Sequence, residues 1–172
     1  MRTLFPSALL LALAAGAGCN STVEDVPNTA AEVSEARYSG IDAAMNERKG
    51  KVILVDIWAT WCGPCIKTFP DLVAKHKKYA DKGLVCMSIS MDKVSPRGPY
   101  SKDEVLQFLR KKGATFPNFV LSDPADLEKI AERFAHEDSL PHQALFGRDG
   151  KRVWEGHPQE LRDKLIEAEL AK

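Results

Sequence analysis

The stretch that most limits what this chain can become is Lys51-Val-Ile-Leu-Val-Asp-Ile-Trp58. It is β-branched and almost continuously apolar, so it reads as a strand buried on both faces, which requires a sheet with helices packed on two sides. After Ala59-Thr-Trp61 come Cys62-Gly-Pro-Cys65, and the pattern from about 63 to 80 predicts a helix that ends before Gly83. The strand therefore delivers Cys62 to a helix N-terminus, where free backbone N–H groups and the positive end of the helix dipole favour a thiolate. Cys65 falls one turn later on the same face, within reach of a bond to Cys62. Pro64 loses no hydrogen bond in the first turn. Pro70, further in, predicts a kink.

Strands and helices alternate through the remainder. A lead-in helix, Ile41 to Arg48, stops at Gly50, and Leu84 to Met91 is a second buried strand. A loop with Pro96, Gly98 and Pro99 follows, and Ser101-Lys-Asp-Glu104 opens a helix with a capping box. A short strand, Phe119 to Leu121, meets Asp123-Pro124, an N-cap with proline at the first helical position. Leu127, Ile130, Ala131 and Phe134 then form one apolar stripe at helical spacing. Gln143 to Phe146 and Arg152 to Glu155 flank Asp149-Gly150, a hairpin signal. A final helix starts near Pro158 and packs through Leu161, Leu165, Ile166 and Leu170. This order predicts an α/β sandwich around one mixed sheet, without internal repeat or second domain.

Of the 172 residues, 44% are hydrophobic and 28% charged, which excludes a disordered chain or an integral membrane protein. Lys+Arg and Asp+Glu number 24 each, so there is no basic footprint for nucleic acid. The start stands apart. Met1-Arg2, an apolar run from Leu4 to Ala15, and Gly16-Ala17-Gly18 form an export signal over 1–18, too short to span a membrane. Gly16-Ala17-Gly18-Cys19 resembles a bacterial lipobox, in which Cys19 is diacylated and becomes the N-terminus; the alternative is ordinary cleavage after Ala17. Residues 19–37 are small and polar and read as a flexible tether, leaving a domain over 38–172.

With Cys19 lipidated, the Cys62/Cys65 pair and Cys86 remain, neither a disulfide scaffold nor a four-thiolate zinc site. In that setting Val55-Asp-Ile-Trp-Ala-Thr-Trp-Cys-Gly-Pro-Cys65 resembles the active-site stretch of the thioredoxin superfamily. The domain as a whole resembles its exported, membrane-tethered branch, the TlpA/ResA-like thiol–disulfide oxidoreductases. Three features carry this: the signal, the extra helix–strand piece between Asp92 and Asp123, and Leu140-Pro141 followed by Phe146-Gly-Arg-Asp-Gly150. The resemblance implies a thioredoxin-like fold with a helix–strand insertion before a cis proline at Pro141. It also implies a redox-active Cys62–Cys65 disulfide and a substrate groove of Trp61, Gly63, Pro64, Leu140 and Pro141, in which the Leu140 backbone pairs with an extended peptide. The implied activity is reduction of protein disulfides by a monomer without organic cofactor or metal. A membrane thiol–electron donor recharges it, in cytochrome c maturation or envelope redox homeostasis.

Two positions depart from that branch. It often carries a glutamate three residues after the second cysteine, where this chain has Thr68. The acid is instead Asp56 on the strand, as in thioredoxin proper. A buried aspartate there is a candidate proton acceptor for Cys65, the bland alternative being a partly exposed strand residue. The lysine that thioredoxin places on the next strand is replaced by Ser88. Cys86 reads as a buried structural thiol and Trp58 as core. His142 reads either as a groove residue or as part of an edge strand. His76, His136 and His157 read as surface residues, and Lys75-His-Lys-Lys78 as a solvated helix face. A second functional class is a copper-binding chaperone using Cys62, Cys65 and His142, since thiolates and imidazole suit copper. A peroxidase of the peroxiredoxin kind expects P-x-x-x-T-x-x-C, which this sequence lacks.

Overall fold

The computed structural model describes residues 30–137 and 139–172. The signal, Cys19 and the tether as far as residue 29 lie outside the described residues. Strands β1 (Ser34–Ala36), β2 (Val52–Trp58), β3 (Leu84–Ser90), β4 (Asn118–Leu121), β5 (His142–Phe146) and β6 (Arg152–Gly156) form one sheet in the order β1-β4-β3-β2-β5-β6. The pairings among the first four are parallel, and β5 runs antiparallel to both its neighbours, β2 and β6. Helices α1 (Tyr38–Asn46), α2 (Gly63–Tyr79), α3 (Lys102–Lys112), α4 (Leu127–Phe134) and α5 (Asp163–Leu170) cover the two faces. This is the thioredoxin-like mixed sheet flanked by helices, with α3 and β4 inserted between β3 and a cis Leu140–Pro141 bond.

Every residue of β2 is buried, as its sequence requires. Strand alternation sends Leu54, Asp56 and Trp58 to one face and Ile53, Val55 and Ile57 to the other. On the first face Phe69 and Leu72 of α2, Leu109 of α3 and Ile166 of α5 form the core. There the Trp58 ring lies 4.9 Å from Phe69 and 4.7 Å from Phe108. On the second face Ile41 and Met45 of α1 meet Ile130 and Phe134 of α4. Helix α2 continues through Pro70 and tightens into a 3₁₀ turn over Ala80–Lys82. Gly83 closes it at φ 102°, a left-handed backbone conformation that residues with a side chain rarely adopt.

Two boundaries differ from expectation. The tether was expected to reach residue 37, yet Ala31 and Val33 are buried and Ser34–Ala36 pairs with β4. Arg37 fastens this segment, with Nε 2.6 Å from Asp126 and Nη1 2.8 Å from Asp123. A three-residue edge strand has no period to read in sequence. The Arg37 guanidinium and the Tyr38 N–H hold the Asp126 carboxyl well below the usual carboxylate range. That stability is present above the unfolded carboxylate value of about 4 and is lost as pH falls below it. Asp126→Asn is therefore expected to flatten the acid limb of a stability-versus-pH curve, measured by denaturant melts. The second boundary is the last helix, which starts at Asp163. Pro158–Glu160 is a separate 3₁₀ turn, capped by His157 accepting the Gln159 N–H, and Leu161 at ψ 109° interrupts the path.

Candidate active site

The turn between β2 and α2 is fixed before the cysteines are reached. Asp92, 6% exposed, accepts the Thr60 N–H with both oxygens at 3.1 Å, and also the hydroxyls of Thr60 and Ser90. Cys62 then sits at the N-cap of α2 with extended backbone, and its Sγ accepts the Cys65 N–H at 3.2 Å. The two sulfurs are bonded at 2.06 Å. Cys62 is 6% exposed and Cys65 1%, while Gly63 and Pro64 beside them are exposed. Cys62 is thus the sulfur nearer to solvent. Thr68 occupies the position where a glutamate was a family expectation; its hydroxyl turns back to the Pro64 and Cys65 carbonyls at 3.2 and 3.3 Å.

A cleft of about 400 Å³ opens over the disulfide, lined by Trp61, Cys62, Gly63, Pro64, Arg97 and Leu140. Leu140 joins it from the cis-proline turn, and Pro141 leads directly into β5. A second pocket of about 160 Å³ shares Trp61, Arg97 and Leu140 and adds Met91, Val94 and Leu127. Arg97, from the loop after β3, places its guanidinium 5.0 Å from the Trp61 ring centroid. Leu127, expected in the core stripe of α4, is 36% exposed, because the helix begins only after a 3₁₀ turn that rotates it to this rim.

Asp56 lies on the same face of β2 as Trp58, the face covered by Cys65 and α2. It is 2% exposed. Across the sheet it registers with Ser88 of β3 and Gln143 of β5. The Gln143 Nε2 donates to Asp56 Oδ1 at 2.7 Å. Ser88 donates instead to Asn118 at 2.8 Å. Burial pushes the Asp56 carboxyl up to about 7, against the smaller lowering effects of the Gln143 amide and the charge of Lys75. Lys75 is half-buried, so the segment 75–78 is not wholly the solvated face expected of it.

Cys86 is a free thiol, fully buried, and burial pushes its pKa up. His142 is buried inside β5, between β2 and β6, and its Nε2 donates to the Phe134 carbonyl at 2.8 Å. It belongs to neither an edge strand nor the cleft lining. Among the described residues no three His, Cys, Asp or Glu side chains converge, so Cys62, Cys65 and His142 are not gathered as a copper donor set. His136 is 7% exposed and meets the His142 ring edge-to-face at 5.5 Å, correcting the surface reading. His76 is half-buried against Phe116 at 5.2 Å. Arg97, Asp92 and Gln143 were not singled out in the sequence. A glutamine inside the apolar strand His142–Phe146 was the available signal, but its partner is set by sheet register.

Comparison with known proteins agrees with this geometry. The AhpC/TSA family matches residues 24–151. The thiol-disulfide oxidoreductase ResA of Bacillus subtilis is 28% identical over 143 residues, covering 83% of this chain and 70% of that protein. A thiol:disulfide interchange protein of the DsbE type from Chlorobium tepidum superposes with a TM-score of 0.58 at 25% identity, over 73% of this chain and 84% of that one. The exposed lipoprotein thioredoxin of Streptococcus pneumoniae superposes with a TM-score of 0.51 at 27% identity, over 74% and 88%. Among the described residues no helix is long and apolar enough to cross a membrane. The chain belongs to the AhpC/TSA family, as a thioredoxin-like redox enzyme whose working group is the Cys62–Cys65 pair.

Proposed function

We propose that this protein reduces disulfide bonds in other proteins. The reading is carried by Cys62, the more exposed sulfur, placed at a helix N-terminus with the Cys65 N–H on its Sγ. The Cys62 thiolate attacks a substrate disulfide, forms a mixed disulfide and expels the first substrate thiolate. Asp56 accepts the proton of Cys65, whose thiolate then attacks Cys62 Sγ. The second substrate thiolate leaves and takes up a proton. Two electrons have passed to the substrate, and the enzyme is left as the disulfide described above. The substrate backbone lies along Leu140 and Pro141, with Trp61, Gly63 and Pro64 as the opposite wall. The Gly-Pro between the cysteines, shared with reducing thioredoxins, favours this direction.

The setting we assign is the cell envelope, with the chain exported through residues 1–18 and held by a lipid on Cys19. The name of the pneumococcal neighbour supports it. A membrane thiol–electron donor restores the dithiol of the monomer, which serves cytochrome c maturation or envelope redox homeostasis. The deciding test measures the reduction potential of the pair and insulin reduction with a thiol donor. A potential near that of thioredoxin, about −270 mV, with turnover of insulin is expected. A potential near −120 mV, that of a strong oxidant, would reverse the direction.

A further inference from the structure

We infer that Gln143 is the positioning residue for Asp56, its amide bonding the carboxyl group in both protonation states: donating to the carboxylate and, turned over, accepting from the acid. This rests on Asp56 being the proton acceptor for Cys65. Gln143 is 0% exposed, and the β2–β5 register sets it directly opposite Asp56. Backbone hydrogen bonds of the β2–β5 pair hold the two Cα atoms opposite each other. Among the described residues the Gln143 amide is the one hydrogen-bond partner of the Asp56 carboxyl.

The other end of the amide carries the inference further. Gln143 Oε1 is buried and has no hydrogen-bond partner among the described residues. A buried acceptor left unpaired is costly. It acquires a use at the moment Asp56 takes the Cys65 proton. A half-turn of the planar amide exchanges Nε2 for Oε1, and the new Asp56 O–H finds an acceptor where the carboxylate had a donor. A methyl or ammonium group at this position offers no such exchange. On the face of the sheet that carries Asp56, α2 contributes Cys65 and Lys75, β3 contributes Cys86 and Ser88, and β5 contributes Gln143. Of these Lys75 carries the standing charge. The proton passes from Cys65 Sγ to Asp56 as Cys65 attacks Cys62, and returns to solvent once the substrate has left.

The test loads Cys62 with a chromogenic aromatic thiol and follows its release by Cys65 across pH. In the native protein release follows the titration of Asp56. Gln143→Met keeps the volume and removes both bonding modes. Because a hydrogen bond to a charged acceptor is worth more than one from a neutral donor, the pH midpoint should rise by about one unit. Release should be about fivefold slower at pH 7, approaching tenfold at lower pH, and converge with the native rate at high pH. A uniform slowing with an unmoved midpoint overturns the inference, since that is what a packing defect does. If Asp56→Asn leaves release and its pH dependence untouched, the proton-acceptor reading fails instead. A second measurement needs no Gln143 variant. Infrared difference spectra of protein labelled with carbonyl-¹³C glutamine should show a glutamine carbonyl band that shifts as Asp56 protonates and is still in Asp56→Asn. An unmoved band in the native protein refutes the turning amide.

Discussion

Cys65→Ser is expected to accumulate as a mixed disulfide through Cys62, with insulin turnover reduced on the order of 10⁴-fold or more. The basis is proximity. Cys65 sits one helical turn from Cys62, with Cα atoms 5.2 Å apart, and well-oriented intramolecular reactions reach effective molarities of roughly 10⁵–10⁸ M. Without it, release waits for an external thiol at millimolar concentration, so the attacked substrate stays attached. Mass spectrometry of the variant purified from cells reads the adducts, and they should vanish in the Cys62→Ser, Cys65→Ser double variant. A Cys65→Ser protein recovered free of adducts and still turning over would show that Cys65 is not the sulfur that resolves the mixed disulfide.

Asp56→Asn is expected to slow the attack of Cys65 on the mixed disulfide by about 10²–10⁴-fold, the usual range for a positioned general base. The initial attack by Cys62 should change far less, because the helix N-terminus stabilises that thiolate independently of the acid. The same substitution should change stability with the opposite sign. The folded Asp56 value of about 7 lies above its ordinary 3.8, the result of burial. Such a group favours the folded state below pH 4, and that stability drains away as pH climbs toward 7. Asparagine titrates in neither state, so the variant should be more stable than the native protein at pH 7, by on the order of 3 kcal/mol. The gain should fade toward pH 4. Stopped-flow kinetics and denaturant melts at two pH values check both halves. Equal slowing of both steps, or a variant less stable at pH 7, would place Asp56 outside the chemistry.

What the sequence disclosed, and what it hid, follows from which interactions are local. Strand β2, helix α2 and the cysteine pair are consecutive, and their chemistry follows from an apolar run ending at a helix start. The capping of α3 by Ser101 was equally readable, its Oγ accepting the Glu104 N–H at 3.3 Å. The burial of Asp56 could be argued from its neighbours alone. Its partner could not, because Gln143 stands 87 residues away and meets it only through an antiparallel register. Strand β1 escaped for the same reason: Ser34–Ala36 has no apolar pattern and is held by Arg37 reaching Asp123 and Asp126. The surface reading of His136 fails because a histidine after a helix end looks exposed unless one knows that the His142 ring packs edge-to-face against it. Arg97 reaches the cleft from a loop whose sequence announces only turns.

The depth of Cys86 has a consequence for how the chain acquires its own bond. The three cysteines among the described residues, Cys62, Cys65 and Cys86, can close three different disulfides with one another while the chain is unfolded. Once β3 packs, the Cys86 sulfur lies under α2 beside the Leu72 carbonyl, and its proton is held too firmly for it to compete as a thiolate. Two pairings are thereby withdrawn from circulation. The native one stays available because its partners are three residues apart and need no sheet in order to meet. Wherever the chain meets an oxidant, the folding of a strand that takes no part in the chemistry acts as a proofreader of the linkage that does.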